Sequence, residues 1–144
     1  MKIYDPTQIQ LVICGVPISS GFAPGSFVEV RQTSPSFNLI QGVDGQTTRT
    51  KTNDFSARII VKLMQSSDAN TLLSLIWNYD VFAYNGAGVG PSSIKDSGGS
   101  TQFVATKSWI EKPPDADFGD KATSREWIIA CAQLSRLDGA SNQV

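Results

Sequence analysis

Residues Asp54–Gln65, DFSARIIVKLMQ, run directly into Ser66–Asn70, SSDAN, and this junction decides the fold. The first stretch alternates with a period of two. Phe55, Ala57, Ile59, Val61 and Leu63 fall on one face, and Ser56, Arg58, Ile60, Lys62 and Met64 fall on the other. One face is core material; the other is amphipathic and carries two positive charges. The pattern then changes period. Ser67 suits a helix N-cap and Asp68 suits the positive end of a helix dipole. Leu72, Leu75, Ile76 and Tyr79 follow at helical spacing, with Leu73 and Trp77 widening the stripe. The spacing predicts one helix over roughly 68–78, plugging one face of a sheet.

Upstream, Gln8–Ile13 is a short apolar run, and a turn region follows in which Gly15, Pro17, Gly21 and Pro24 recur. Ser26–Gln32 alternates, with Phe27, Glu29 and Arg31 opposite Val28 and Val30. Ser34-Pro35 breaks it, Phe37–Gln41 resumes it, and the two runs read as a hairpin. Gly42-Val43-Asp44-Gly45 is a turn. Gln46–Asn53, QTTRTKTN, is polar on both faces, which suits a solvated hairpin arm or an arm buried by a neighbour. Downstream, Val81–Tyr84 is a short apolar run, and a Gly-rich segment near 84–100 reads as a flexible loop. Thr101–Ile110 reads as a strand with Phe103, Ala105 and Trp109 on one side. Thr123–Leu137 reads as one long strand with Trp127, Ile129 and Cys131 opposite Glu126, Ile128 and Ala130, and Asp138–Val144 is a polar tail. About seven strands separated by turns, with one helix near 68–78, predict a mainly β (α+β) antiparallel sandwich or partial barrel. Residues 1–144 read as a single domain with a projecting arm near 42–54.

Composition narrows the function. The 144 residues carry 12 Lys and Arg against 13 Asp and Glu, and only 17% are charged. A nucleic-acid grip needs a basic face, which this balance does not supply. There is no His, so the commonest general base and metal ligand is missing. Neither a signal peptide nor a membrane-spanning run is visible. Cys14 and Cys131 lie in apolar contexts and read as reduced packing residues. The run Gly86-Ala87-Gly88-Val89-Gly90-Pro91 has GxGxG spacing rather than a phosphate-loop spacing, so it reads as a loop. Asp115, Asp117 and Asp120 lack the register of a calcium loop and read as a solvated acidic segment. No serine elbow accompanies the many Ser residues. Trp77, Trp109 and Trp127 read as core. No enzyme activity, catalytic residue, metal or cofactor is expected.

One resemblance remains. The Gly-rich opening, the alternating run up to Gly42-Val43-Asp44-Gly45, the Thr-rich arm with Arg49 and Asn53, the amphipathic strand, Gln65–Asn70 with its helix, and the late Trp109-Ile110 and Glu126-Trp127 together resemble the tail tube proteins of contractile-tailed bacteriophages. The tube protein of the type VI secretion system shares that architecture. The resemblance implies hexameric rings that stack into a hollow tube inside a sheath and conduct DNA during infection. Its implied partners are further copies of the chain, the tail sheath, baseplate and tape measure proteins, and double-stranded DNA in non-specific transit, without stable membrane insertion. The implied location is the virion tail, assembled in host cytoplasm. The alternatives are a baseplate or tail-completion ring component, or another small β binding domain.

Under that resemblance Asp44, Gly45, Arg49, Lys51 and Asn53 are expected at inter-ring contacts. Asp115, Asp117 and Asp120 are candidates to face the sheath. Glu29, Arg58, Lys62 and Glu126 are candidates to face the lumen, with the two cations paired to carboxylates such as Glu29 or Glu126. A shared barrel of about 24 strands spaced ~4.8 Å and tilted ~40° has a backbone diameter of roughly 48 Å, wide enough for a duplex. Unpaired cations on such a wall would hold phosphate by counterion release, so a neutral to negative lumen is expected.

Overall fold

A computed structural model of the chain describes residues 1–83 and 85–140. The chain is mainly β, with antiparallel pairing throughout and one flanking helix. After a short 3-10 turn at Pro6–Gln8, the strands are β1 (Ile9–Ile13), β2 (Val16–Ile18), β3 (Val28–Gln32), β4 (Phe37–Gln41), β5 (Thr47–Lys51) and β6 (Ala57–Met64). Helix α1 (Ala69–Ala83) follows, then β7 (Gly90–Asp96), β8 (Gln102–Lys112), β9 (Ser124–Cys131) and β10 (Leu134–Leu137). Eight strands form one sheet in the order β2-β1-β7-β8-β9-β6-β3, with β10 also paired to β8; β4 and β5 form a separate two-stranded sheet. The large sheet curls, so that β3 returns toward β1 and β7 across an open cleft of about 360 Å³ lined by Tyr4, Ile9, Val28, Val30, Ile94 and Phe103, among others.

The deciding strand sits where its alternation requires. Ala57, Ile59, Val61 and Leu63 of β6 are buried, and in register across from them Cys131, Ile129 and Trp127 of β9 are buried too. Leu11, Ile13, Ile94, Phe103, Ala105, Ile110 and Leu73 complete this core. Each such aliphatic side chain contributes about 1.5–3 kcal/mol by leaving water.

Several local expectations change in the folded chain. Phe37–Gln41 pairs with Thr47–Lys51 and not with β3, because the tight turn at Gly42–Gln46 folds it back on the segment that follows. The Thr-rich segment therefore has a strand partner within its own chain. The 84–100 segment is not one loop: Gly90–Asp96 is β7, inserted between β1 and β8. Val16–Ile18 also forms a short strand inside the expected turn region. The expected long strand Thr123–Leu137 breaks at Ala132-Gln133. There Ala132 N donates to Lys107 O at 3.1 Å, beside extra residues in β8. That irregularity reverses the sides of β8 midway: Phe103 and Ala105 point inward, then Ser108 and Ile110 do, which leaves Trp109 on the other face beside Ala130. Tyr84, and residues 141–144 of the expected tail, lie outside the described residues.

The helix runs on through Ala83, so Val81 and Phe82 are helical. The face it buries is also different. Asn70 and Leu73 are buried and Ile76 and Trp77 pack on the core, whereas Leu72, Leu75 and Tyr79 are exposed. Asn70 sets this rotation. Its side-chain oxygen accepts from Trp127 Nε1 at 2.9 Å, and its amide nitrogen donates to Met64 O at 2.9 Å and Ser67 O at 3.2 Å. A single buried amide thus joins the end of β6, the first turn of the helix and the largest core side chain.

Candidate assembly surfaces

The face of β3, β6, β9 and β8 turned away from the core holds all four candidate lumen residues. Cross-strand register places Glu29 beside Ile60, Arg31 beside Arg58, and Lys62 beside Glu126. Arg31 and Arg58 are directly opposed like charges, a costly arrangement unless each finds a carboxylate. Each does: Arg31 reaches Glu29 at 3.0 Å, and Arg58 makes a two-pronged contact with Glu111 at 2.7 and 3.1 Å. Arg58 reaches β8 over Ala130, whose small side chain stands between them in register. Lys62 Nζ lies 3.5 Å from Glu29 and so turns toward β3, although Glu126 stands opposite it on β9.

Lys62, then Arg31, hold the Glu29 carboxyl below its ordinary pKa, and the hydrogen bonds from Arg58 do the same for Glu111. Of the pairings read from sequence, Lys62 with Glu29 is formed. Arg58 pairs with neither Glu29 nor Glu126. Its partner Glu111 was hidden by the extra residue between Ala105 and Ser108, which reverses the sides of β8 and brings onto this face a residue that alternation from Phe103 and Ala105 assigns to the core. With Lys112 at the strand end, the face carries cations at 31, 58, 62 and 112 and carboxylates at 29, 111 and 126. That leaves one net positive charge; Arg31 and Lys62 share Glu29, and Arg58 is held by Glu111.

The β4–β5 hairpin is the second surface, and all ten of its strand residues are exposed. At its tip Gly45 takes φ +85°, a conformation that favours glycine; Asp44 accepts from Gln46 N at 3.1 Å, and Gly42 N donates to Gln46 O at 2.7 Å. Asp44 and Gly45 therefore build the turn. The Arg49 guanidinium lies 4.3 Å from the Phe37 ring centre, and the Lys51 ammonium lies 5.4 Å from that of Phe55. Asn53 is exposed at the base of the hairpin. Asp54 gathers that base: it accepts from Ser34 Oγ at 2.6 Å and from Ser56 N and Oγ at 3.1 and 2.6 Å, bonds that lower its pKa. The apolar side chains Phe37, Leu39 and Ile40 and, at the turn, Val43 are exposed; Leu39 is 74% and Ile40 59% accessible. The sequence pattern assigns the arm its polar strand and not this apolar one, because it pairs Phe37–Gln41 with Ser26–Gln32.

Asp115, Asp117 and Asp120 lie in the exposed connection between β8 and β9, where Phe118 is also exposed and lies 5.9 Å from the Arg125 guanidinium. Among the described residues no cluster of His, Cys, Asp or Glu is arranged to hold a metal ion. No described helix is long and apolar enough to cross a membrane.

The glycine run has a packing role. A Cβ on Gly88 would strike the Asp80 side chain of α1, and one on Gly90 would lie 3.0 Å from the Cys14 backbone. Beside it, Cys14 N donates to Ser92 Oγ at 3.0 Å and Ser108 Oγ donates to Gly90 O at 2.7 Å, a buried serine pair that satisfies the backbone at the irregular β7–β8 junction. Both cysteines are free thiols; burial raises Cys14, and raises Cys131 to about 11. Neither is poised as a nucleophile.

No family model matches the chain. Over 146 residues it is 27% identical to the Structural protein ORF10 of Pseudomonas phage KPP10, an alignment that covers 98% of this chain and 84% of that protein. Among solved structures, the tube-terminating cap of the anti-feeding prophage superposes with a TM-score of 0.58 at 8% identity, covering 93% of this chain and 90% of the cap. At that identity the likeness is one of fold.

Proposed function

We propose that the chain is a structural component of a phage-type tail, that copies of it form rings, and that the rings stack as a tail tube. The observation that carries this reading is the β4–β5 hairpin. An isolated two-stranded hairpin is marginally stable in water at best, and here both faces are exposed and one strand is apolar. Such an element needs a neighbour, and a contact between stacked rings through Asp44, Arg49, Lys51 and Asn53 with the apolar strand beside them would give it one. β3 ends the large sheet with one side of its backbone unmatched by any described strand, an edge that a second copy could continue. The charged face of β3, β6, β9 and β8 suits a lumen wall because its β6 cations are already held by carboxylates. The KPP10 relative is a phage structural protein, and nothing in the site suggests catalysis. Asp115, Asp117 and Asp120 remain candidates for a sheath contact. In this reading the protein acts in the virion, with sheath, baseplate and tape measure proteins as its neighbours.

A second reading is favoured by the cap likeness: a tail-completion ring that closes a tube and does not extend it. Negative-stain electron microscopy of the purified full chain over a concentration series separates the two. Long hollow tubes support the tube subunit, discrete rings support the completion ring, and monomers at every concentration, with no assembly on pre-formed tail components, refute both.

A further inference from the structure

Helix α1 has a surface that its own chain leaves uncovered. Its fifteen residues include one charged side chain, Asp80. Leu72, Leu75, Tyr79 and Phe82 recur along one side and are 48, 62, 65 and 70% exposed. The helix meets β2 and β8 with its other side, where Leu73 is fully buried. A helix this apolar and this poor in charge is normally covered. Leu75, Tyr79, Phe82 and Ala83 line a shallow groove on it. Its last turn contains no Lys or Arg, so the negative end of the helix dipole, with Asp80 beside it, has no cation of its own in that turn.

The hairpin arm carries the complementary set. Register places Phe37 opposite Lys51 and Leu39 opposite Arg49, so two apolar and two cationic side chains share one face. We propose that the arm of one copy lays this face on the α1 groove of a neighbouring copy. Phe37 and Leu39 pack on Leu75, Tyr79 and Phe82, and Arg49 and Lys51 stand at the carbonyl end of the helix near Asp80. Charge complementarity selects a second copy as the occupant: the arm supplies cations flanking an apolar patch, and the helix supplies an apolar patch ending in negative charge. Because arm and helix are different surfaces, the contact is head-to-tail, the type that closes rings or builds stacks. The inference rests on the tail-assembly reading and names the surface that the arm meets.

A photoreactive benzophenone amino acid at position 39 of the full chain tests it. Mixed light and ¹⁵N-labelled copies are assembled, irradiated and mapped by mass spectrometry, with the probe at position 117 as control. The expected result is cross-links from position 39 to residues 69–83 of a differently labelled copy. Phe82→Ser should in addition raise the concentration needed for half-assembly by about tenfold with the circular dichroism spectrum unchanged. Cross-links to other segments in assemblies that still form, or an unchanged midpoint for Phe82→Ser, overturn the docking site and leave the tail reading standing. Absence of any assembly and of any cross-link between copies overturns both.

Discussion

Replacing Leu39 and Ile40 together with Ser should leave the folded chain intact and weaken its self-association. The two side chains stand on opposite faces of the β4–β5 hairpin and are 74% and 59% exposed. Neither belongs to the core, so their loss should change the stability of the isolated chain by only about 0.5 kcal/mol. In an assembly that covers the hairpin, the exposed fraction of each becomes buried. Full burial of a Leu or Ile is worth about 1.5–3 kcal/mol, so the remaining fractions are worth roughly 1–2 kcal/mol each and about 2–4 kcal/mol together. At about 1.4 kcal/mol per decade, the association constant of each arm contact should fall roughly 30-fold to several-hundred-fold. Sedimentation velocity over a concentration series reads the assembly midpoint, and thermal unfolding by circular dichroism reads the fold. A variant that melts with the parent and assembles at the same concentration would refute the reasoning, because the arm would then bury nothing on association.

Three further outcomes follow from individual contacts. Asn70→Ala should destabilise the fold by about 2–4 kcal/mol in urea denaturation, since it orphans the buried Trp127 N–H and removes the side-chain donor shared by the Met64 and Ser67 carbonyls; Trp127→Phe combined with Asn70→Ala should cost less than the two single changes summed. The Glu111 carboxyl, held down by Arg58, should titrate by NMR below the ordinary glutamate range and return to it in Arg58→Gln. Because the folded value is depressed, the contribution of this pair is present at neutral pH and lost as pH falls through that value. Cys131, raised to about 11, should resist alkylation at pH 8 in the folded chain and react at an ordinary thiol rate in denaturant.

The part of the fold that local alternation fixes was legible. β6 reads correctly because every second residue from Ala57 to Leu63 is apolar and buried, and the inward set of β9 reads correctly for the same reason. The paired cations were half legible: Lys62 and Glu29 follow from strand faces, while Glu111 does not, because an extra residue between Ala105 and Ser108 changes which face it joins. Strand partners were the weakest part. Phe37–Gln41 suits pairing with either neighbour in sequence, and the tight turn at Gly42–Gln46 decides for the segment that follows, leaving the outer edge of β3 open. The helix face failed for a different reason. Leu72, Leu75 and Tyr79 form as good an apolar stripe as Leu73, Ile76 and Trp77, so periodicity alone cannot choose between them. The choice is made by Asn70, whose three hydrogen bonds orient the first turn against Trp127.

That same ambiguity bears on function. A helix with two comparable apolar stripes can bury one in its own chain and keep the other for a neighbour, and a hairpin with an apolar strand on no core does likewise. The charged face of the sheet shows the opposite economy: cations at 31, 58 and 62 are held by two carboxylates within the chain, Glu29 and Glu111. If that face lines the bore of a hexameric ring, as proposed above, the ring would without those pairs present about 18 unpaired cations to passing phosphates, each adding to a salt-dependent grip. Under the proposed tube reading, surfaces that need partners and a wall that needs none are different demands on one small domain. Their placement on separate elements, hairpin and helix for the first and the outer face of β3, β6, β9 and β8 for the second, lets a single fold meet both. Breaking Arg58–Glu111 by Glu111→Gln should therefore leave assembly intact while making short-duplex binding by the assembled rings measurable and steeply dependent on salt. Assembly lost with no gain in duplex binding would assign that face to subunit contact and refute its proposed place in the bore.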